Sequence, residues 1–533
     1  MKIKSLRTSK YKNLHDVNIN FEADLITLLV GQNGLGKSNL IEILTFIFKD
    51  LYTIREKKEF IASANKSELS DYMIEYECRG NQLKIDYHDG QLEIYIKHST
   101  EEYQQISFAK FKRNSDIFLP DRIMGYYSGE NKRLEKLLSE YTSKEKRTQQ
   151  RAYRNGSINK KFRNIFFSEN RHSQLILFTL VVYRDHPVIG KAVNRILSDV
   201  LGLDEMIGFE IRFKNPSFVK LQNLIKSKST LEDYVGEILT NGDFNTVADK
   251  DIFWGIKGRI DTLMRLFLIE YLDQSACHFY VENNREYFAI NEQLMSYDTL
   301  VDKIYTVFSD PLDFFDALEA ASSIGVLDEL KLEISKIGDG EYYNFTALSE
   351  GEQQLISVLG LMAILREDNE EVLYLIDEPD THINPKWQRN FVKLLLDNIG
   401  DSQHRHMFIS THSPFLVQAY DENVDILLFR RDEEQNKVII DIADHTIKNW
   451  RIDQVLMSPY FDIESTRPSS IDDFMTKRLA IIRKGEFTDE DKAELLGIEK
   501  ILGSLPTGET LTELESLAYI NKAANRFREE AAE

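Results

Sequence analysis

The chain is poor in cysteine, with only Cys78 and Cys277 among 533 residues. Neither lies in a C-x-x-C spacing, which excludes a disulfide framework or a cysteine-rich zinc site and fits a reducing compartment. No apolar run reaches the ~20 residues that a membrane span needs. The longest, LILFTLVVY from Leu175 and LISVLGLMAIL from Leu355, suit buried helices or strands. The opening MKIKSLRTSKYKNL has no apolar core of signal-peptide length, so a cytoplasmic protein without membrane contact is expected. Positive charge is also in deficit: 66 Lys and Arg stand against 87 Asp and Glu, a net charge of −21. A uniformly basic nucleic-acid coat is excluded, and any basic face must be argued locally. There is no internal repeat, no low-complexity tract and no sustained heptad of the kind that builds a coiled-coil arm.

The length exceeds one compact core, so two or three lobes are expected. Residues 1 to 50 alternate β-prone runs (IKSL, VNINF, LITLLV) with a glycine loop, and a helix starts at Lys37. Residues 70 to 110 look like a β meander, with turns at RGN and at Asp89-Gly90, the latter a strong hairpin signal. From about 130 to 335 the pattern is mostly helical. Strand–helix alternation returns from 336 to 432, and from about 465 a charged, helix-prone tail follows, broken by LPTGET.

Between Gly31 and Ser38 the chain reads GQNGLGKS, a full match to G-x-x-x-x-G-K-[ST]. Glycines at Gly31, Gly34 and Gly36 let the backbone curl until its N–H groups point at phosphate oxygens. The following helix offers its positive end to the same anion. Lys37 is expected to reach the β- and γ-phosphates and Ser38 to ligate Mg²⁺. Asn33 within the loop and Asn39 just after it are further nucleotide-binding candidates. Cofactors are therefore expected to be ATP and Mg²⁺.

Three further stretches add to this. VLYLIDEP is an apolar strand ending in Asp377 and Glu378; a buried strand ends in two carboxylates when something positive or polar waits there. Asp377 is assigned to the magnesium shell and Glu378 to the base that polarises the attacking water. Read alone, the stretch is also an ordinary strand end entering a proline turn. ISTHSPF follows another apolar strand and puts His412 at the same sheet edge, able to bond a γ-phosphate or the water. LSEGEQQL sets Ser349 and Gly351 at a helix start; alone it is an N-capped helix.

Together, in this order, the four motifs resemble the ATP-binding-cassette (ABC) ATPase head. LSEGEQQL looks like that family's signature, with Glu350 where a second glycine is usual. The resemblance implies that Ser349 and Gly351 act in trans on the opposite protomer's nucleotide, in a head-to-head dimer, with Glu352 beside them as a further nucleotide-binding candidate. It also implies a mixed α/β fold with a head assembled from both ends of the chain: 1–130 and 336–445. Residues 131–335 would form a mainly helical inserted lobe, and 446–533 a helical tail that is either a solvated helix pair or a partner-docking surface.

The opening and the run DEPDTHINP, Asp377 to Pro385, are similar to the RecF, SMC and OLD-type branch. There an arginine near this point contacts nucleotide, and Arg7 matches it. Asp380 stands at the usual acidic position, whereas Asn384 stands where histidine is common. Gly125 to Leu137 falls where a Q-loop is expected, but no glutamine is there and no metal ligand is assigned. The chain has no zinc-hook cysteines, TOPRIM acidic cluster or HNH-like histidines, so no nuclease activity of its own is expected. What remains resembles the stand-alone ATPases of bacterial defence operons, the Septu-type PtuA and restriction-system-associated proteins. That implies an anti-phage ATPase, dimeric or of higher order, controlling a separate HNH-type nuclease. A RecF-like repair ATPase is the alternative. DNA or a retron-type nucleic acid is a further partner candidate, on the basic stretch of Lys144, Lys146, Arg147, Arg151, Arg154, Lys160, Lys161 and Arg163 with Tyr141 and Tyr153 interleaved. A solvated helix face with i,i+4 pairs is the competing explanation.

Overall fold

The computed structural model describes residues 1–449 except 23–24, 67–68, 70, 99–101, 129–132, 156–163, 221, 223–230, 232–234, 236–252, 272–275, 294–296, 339–340, 366–369, 400–403, 419–423, 433–436 and 443–449. In the remainder it describes 450–458, 460–461, 463, 476–477, 480–481, 488–502 and 516. Two compact units result, Met1–Asn449 and Trp450–Glu533. No helix among the described residues is long and apolar enough to cross a membrane.

The first unit is organised by a seven-stranded sheet. Its order is Lys437–Ile442, Val424–Asp432, Ile26–Gly31, Arg405–Thr411, Val372–Asp377, Arg122–Tyr127 and Ile165–Ser168. All neighbours pair parallel except the first two strands. Ile26–Gly31, Val372–Asp377 and Arg405–Thr411 are buried at every position. That explains why none of them alternates between apolar and exposed polar positions, because a parallel strand covered on both faces has no polar side to alternate with. The carboxyl ends of these strands deliver Gly31, Asp377 and Thr411 to one edge, where ligands of such sheets bind.

A second, antiparallel sheet has the order Leu14–Asn20, Lys2–Tyr11, Tyr72–Cys78, Asn81–His88, Gln91–His98 and Gln104–Ile106. This is the expected meander. Arg79-Gly80 and Asp89-Gly90 both have positive φ, at 48° and 72° in each pair, as a two-residue hairpin turn of the primed type demands. Between the sheets lies the helix Lys37–Thr53, with most of its residues buried.

The stretch 131–335 departs from the mainly helical expectation. Helices Asn170–Val182, Arg259–Tyr271 and Pro311–Ile324 are present, but so is a five-stranded antiparallel sheet. Its order is Cys277–Glu282, Arg285–Gln293, Leu203–Lys214, Leu327–Lys336 and Tyr342–Asn344. Phe209, Ile211 and Phe213 are buried at a spacing of two, a strand period inside a segment whose long apolar runs suggested helices. Ile165–Ser168, also in this stretch, completes the head's own sheet.

In the second unit, helices Ile452–Leu456 and Asp489–Leu502 are described, and Ile481 packs with Leu495. LPTGET and much of the charged tail lie outside the described residues.

Candidate active site

The phosphate loop is held open by its backbone. Gly31, Gly34 and Gly36 have φ of 150°, 81° and 97°. A Cβ on Gly31 would lie 2.3 Å from the Phe429 carbonyl, and one on Gly36 2.7 Å from Leu14 Cδ2. Both positions therefore require glycine on steric as well as torsional grounds. Gly36 is also the N-cap of Lys37–Thr53 and supplies no capping side chain. The first N–H groups of that helix are left for an anion.

Lys37 is 4% exposed. Its ammonium donates to the Gly31 and Gln32 carbonyls at 2.7 and 3.0 Å and lies 3.3 Å from His412 Nδ1, which accounts for all three donors. Burial lowers its pKa to about 8, against the pull of Glu378 and Asp377. His412 Nε2 is 2.7 Å from Glu378 Oε1. The tautomer with the proton on Nε2 satisfies both partners: it donates to the carboxylate and accepts from the lysine. The bond from His412 holds the Glu378 carboxyl below its ordinary pKa. Glu378 has φ of 50°, rare for a side-chain-bearing residue. Its N–H donates to the Ser410 hydroxyl at 2.9 Å, which fixes the strained turn.

Asp377 receives the Ser38 hydroxyl at 3.0 Å, and the Ser410 hydroxyl also bonds the same oxygen. Burial pushes its pKa up to about 6. A buried carboxylate beside a hydroxyl at the phosphate loop is a hard-oxygen donor pair, which fits a divalent cation such as Mg²⁺ that keeps waters and phosphate oxygens for its remaining positions. Lys37, Ser38, Asp377, Glu378 and His412 all line one cavity of about 980 Å³, together with Asn33, Gly34, Gly36 and Asn39.

Other candidates are placed differently. Arg7 is exposed and lines a separate surface hollow with Asp16, Asp71 and His88. The strand that carries it reaches the cleft only at its end, through Lys12 and Asn13. Asn13 donates to the Gly34 carbonyl at 2.6 Å and accepts from Asn39 at 2.6 Å, so Asn39 braces the loop through Asn13. The contact from this opening segment to the loop is therefore made by Asn13, not by the upstream Arg7 that the sequence suggests. Ser349 caps the helix Glu350–Leu355 in a reciprocal box with Glu352. The Glu352 carboxylate is engaged there and by Lys336 at 2.9 Å. A Cβ on Gly351 would stand 2.4 Å from the His382 carbonyl, and His382 Nδ1 lies 3.0 Å from Glu350. The signature segment thus packs on the DEPDTHINP turn, and Ser349 and Gly351 are not among the residues that line the cleft of their own chain. Asn384, standing where histidine is common, accepts the Trp387 N–H at 3.0 Å at the start of the helix Pro385–Ile399.

The basic stretch lies on the helix Arg133–Asn155. Lys144, Lys146, Arg147, Arg151 and Arg154 are exposed, but Tyr141 and Tyr153 are buried, so the interleaved aromatics are core and do not offer stacking surfaces. Lys160, Lys161 and Arg163 lie outside the described residues.

The family described as AAA ATPase domain matches residues 1–417. The Septu protein PtuA of Bacillus mycoides (strain KBAB4) is 23% identical over 235 residues, 42% of this chain and 32% of that protein. A second Septu protein PtuA, from Bacillus thuringiensis, is 26% identical over 136 residues, 23% of this chain and 33% of that one. The Retron Vc95 probable ATPase of Vibrio cholerae serotype O1 biovar El Tor is 34% identical over 95 residues, 16% of this chain and 18% of that protein. The chain thus spans a third or less of the length of these relatives. A structure of the recombination mediator protein RecF-ATPrS aligns over 82% of this chain and 97% of that one, at 12% identity and a TM-score of 0.29.

Proposed function

The chain belongs to the AAA ATPase domain family, and from that premise we propose that it is the ATP-hydrolysing subunit of a bacterial anti-phage defence complex, controlling a separate nuclease subunit through ATP-dependent dimerisation of its heads. The observation that carries the hydrolytic part is the continuous line Lys37, His412, Glu378 beside the Ser38–Asp377 pair.

Bound ATP supplies the γ-phosphate for attack, and Mg²⁺ supplies charge neutralisation at its oxygens. Lys37 exchanges loop carbonyls for phosphate oxygens, which compensates the charge that burial disfavours. Ser38 and Asp377 would hold the metal. Glu378, ionised at neutral pH, accepts a proton from the attacking water, and His412 donates from Nε2 to fix its carboxylate while Nδ1 accepts from Lys37. Ser349 and Gly351, which do not line the cleft of their own chain, act on a partner's nucleotide. The kinship with the Septu and retron proteins supports the defence role and a nuclease partner of HNH type.

The test is purification of the Glu378→Gln protein from its native host in ATP, with identification of what is retained. A nuclease encoded beside the gene is the expected result. Replication or recombination factors alone would overturn the defence reading in favour of a RecF-like repair ATPase.

A further inference from the structure

Three cationic side chains line the nucleotide cleft: Lys12, Lys37 and Arg133. Lys37 is engaged by three acceptors, and Lys12 is ion-paired with Glu42. Among the described residues, Arg133 has no carboxylate partner.

The strand next to the one bearing the catalytic carboxylates ends in the same cleft. Arg122–Tyr127 pairs parallel with Val372–Asp377, with Tyr127 opposite Asp377, so Tyr127 marks the metal end. Tyr127 and Arg133 line the same cleft as Lys37, Ser38, Asp377 and Glu378, so the guanidinium shares the cavity with the groups expected at the terminal phosphate. A planar group with five donors and, among the described residues, no carboxylate partner suits phosphate oxygens.

Helix stability does not explain the residue. Arg133 opens the helix Arg133–Asn155, and a cation in a first turn opposes the macrodipole unless an anion lies beside it. That helix also joins two regions. Leu134, Leu138 and Tyr141 belong to the head core with Leu40 and Leu44. About 30 Å further along, at 1.5 Å per residue, Tyr153 is buried and its carbonyl accepts the Lys257 N–H at 2.9 Å. Next to Lys257, Arg259 pairs with Asp316 at 2.6 Å.

We propose that Arg133 binds the terminal phosphate of ATP in cis, and that the helix it begins carries the nucleotide state from the cleft to the inserted lobe. The proposal rests on the reading of the chain as an ATPase. It supplies the coupling residue in the region where no glutamine was found.

The experiment uses the full chain as wild type, Arg133→Ala, Arg133→Lys and Lys37→Ala. It measures affinity for fluorescent ATP and ADP analogues with Mg²⁺, and hydrogen exchange of residues 134–154 with each nucleotide. A charged hydrogen bond to phosphate corresponds to about a 10- to 100-fold loss of ATP affinity in Arg133→Ala. ADP affinity should change less than about threefold, and Arg133→Lys should fall between. ATP, but not ADP, should slow exchange in 134–154 of wild type, and Arg133→Ala should lose that difference. Equal loss of ATP and ADP, or no loss of either, overturns the proposal. Wild type and Lys37→Ala binding ATP alike would instead overturn the ATPase reading beneath it.

Discussion

Replacing Glu378 by glutamine isolates one property of the site. The Glu378 carboxylate is 2.7 Å from His412 Nε2 and is held below its ordinary pKa by that bond. It is therefore ionised throughout the neutral range, and any acid limb it causes lies below pH 4.5. Glutamine keeps the shape and an acceptor oxygen for His412, and the backbone strain at φ 50° is unchanged. What disappears is the ability to take a proton. General-base catalysis is worth about 100- to 10,000-fold, or ~3–5 kcal/mol of barrier. Phosphate release at saturating MgATP should fall by that factor. ATP affinity should stay within about threefold, and stability should change by about 1 kcal/mol, the charge-assisted part of one hydrogen bond. Turnover within about threefold of wild type across pH 6 to 8 would refute Glu378 as the base.

Lys37→Met should abolish ATP binding yet stabilise the fold. The ammonium's folded pKa of about 8 lies below its usual 10.5, so its burial cost is fully present below pH 8 and vanishes as pH rises past 10.5. At pH 7 the gain is at most ~3 kcal/mol, less the loop hydrogen bonds lost, and the thermal midpoints of the two proteins should converge toward pH 10. Gly351→Ala should cost ~1–3 kcal/mol by overpacking against the His382 carbonyl. Sedimentation should then show a weakened ATP-dependent dimer, while titration shows ATP still binding to the single chain. Charge reversal at Lys144, Arg147 and Arg151, which share one exposed helix face, tests the basic stretch. Binding of a DNA duplex should weaken and its log–log salt slope flatten by about 3, whereas unchanged binding assigns the face to solvent.

How much of this was readable in advance follows the range of the interactions involved. The phosphate loop, Asp377, Glu378 and His412 were readable because each ends a mostly apolar run, and parallel strands buried on both faces bring such ends together. The two glycine hairpins of the meander were equally local. Asn283-Asn284 makes a third such turn, with φ of 49° and 60°, but asparagine pairs mark it less plainly than glycine, and the five-stranded sheet was missed with it. Tyr141 and Tyr153 were misread because counting along the chain ignores helical phase. Leu134, Leu138 and Tyr141 recur at four and three residues and form the inward stripe. Arg7 failed for a related reason: in a strand its side chain points to the face opposite Leu6 and Thr8, which are buried. The contact between Gly351 and His382 joins segments whose adjacency depends on the whole sheet, and no local pattern encodes it.

The most direct test of ATP-driven head pairing is the solution mass of Glu378→Gln by light scattering, with MgATP and with MgADP. A mass of two chains in MgATP and one in MgADP is the expected result. A single-chain mass in MgATP, with ATP demonstrably bound, would contradict the assignment of Ser349 and Gly351 to a partner's nucleotide and the dimeric control built on it.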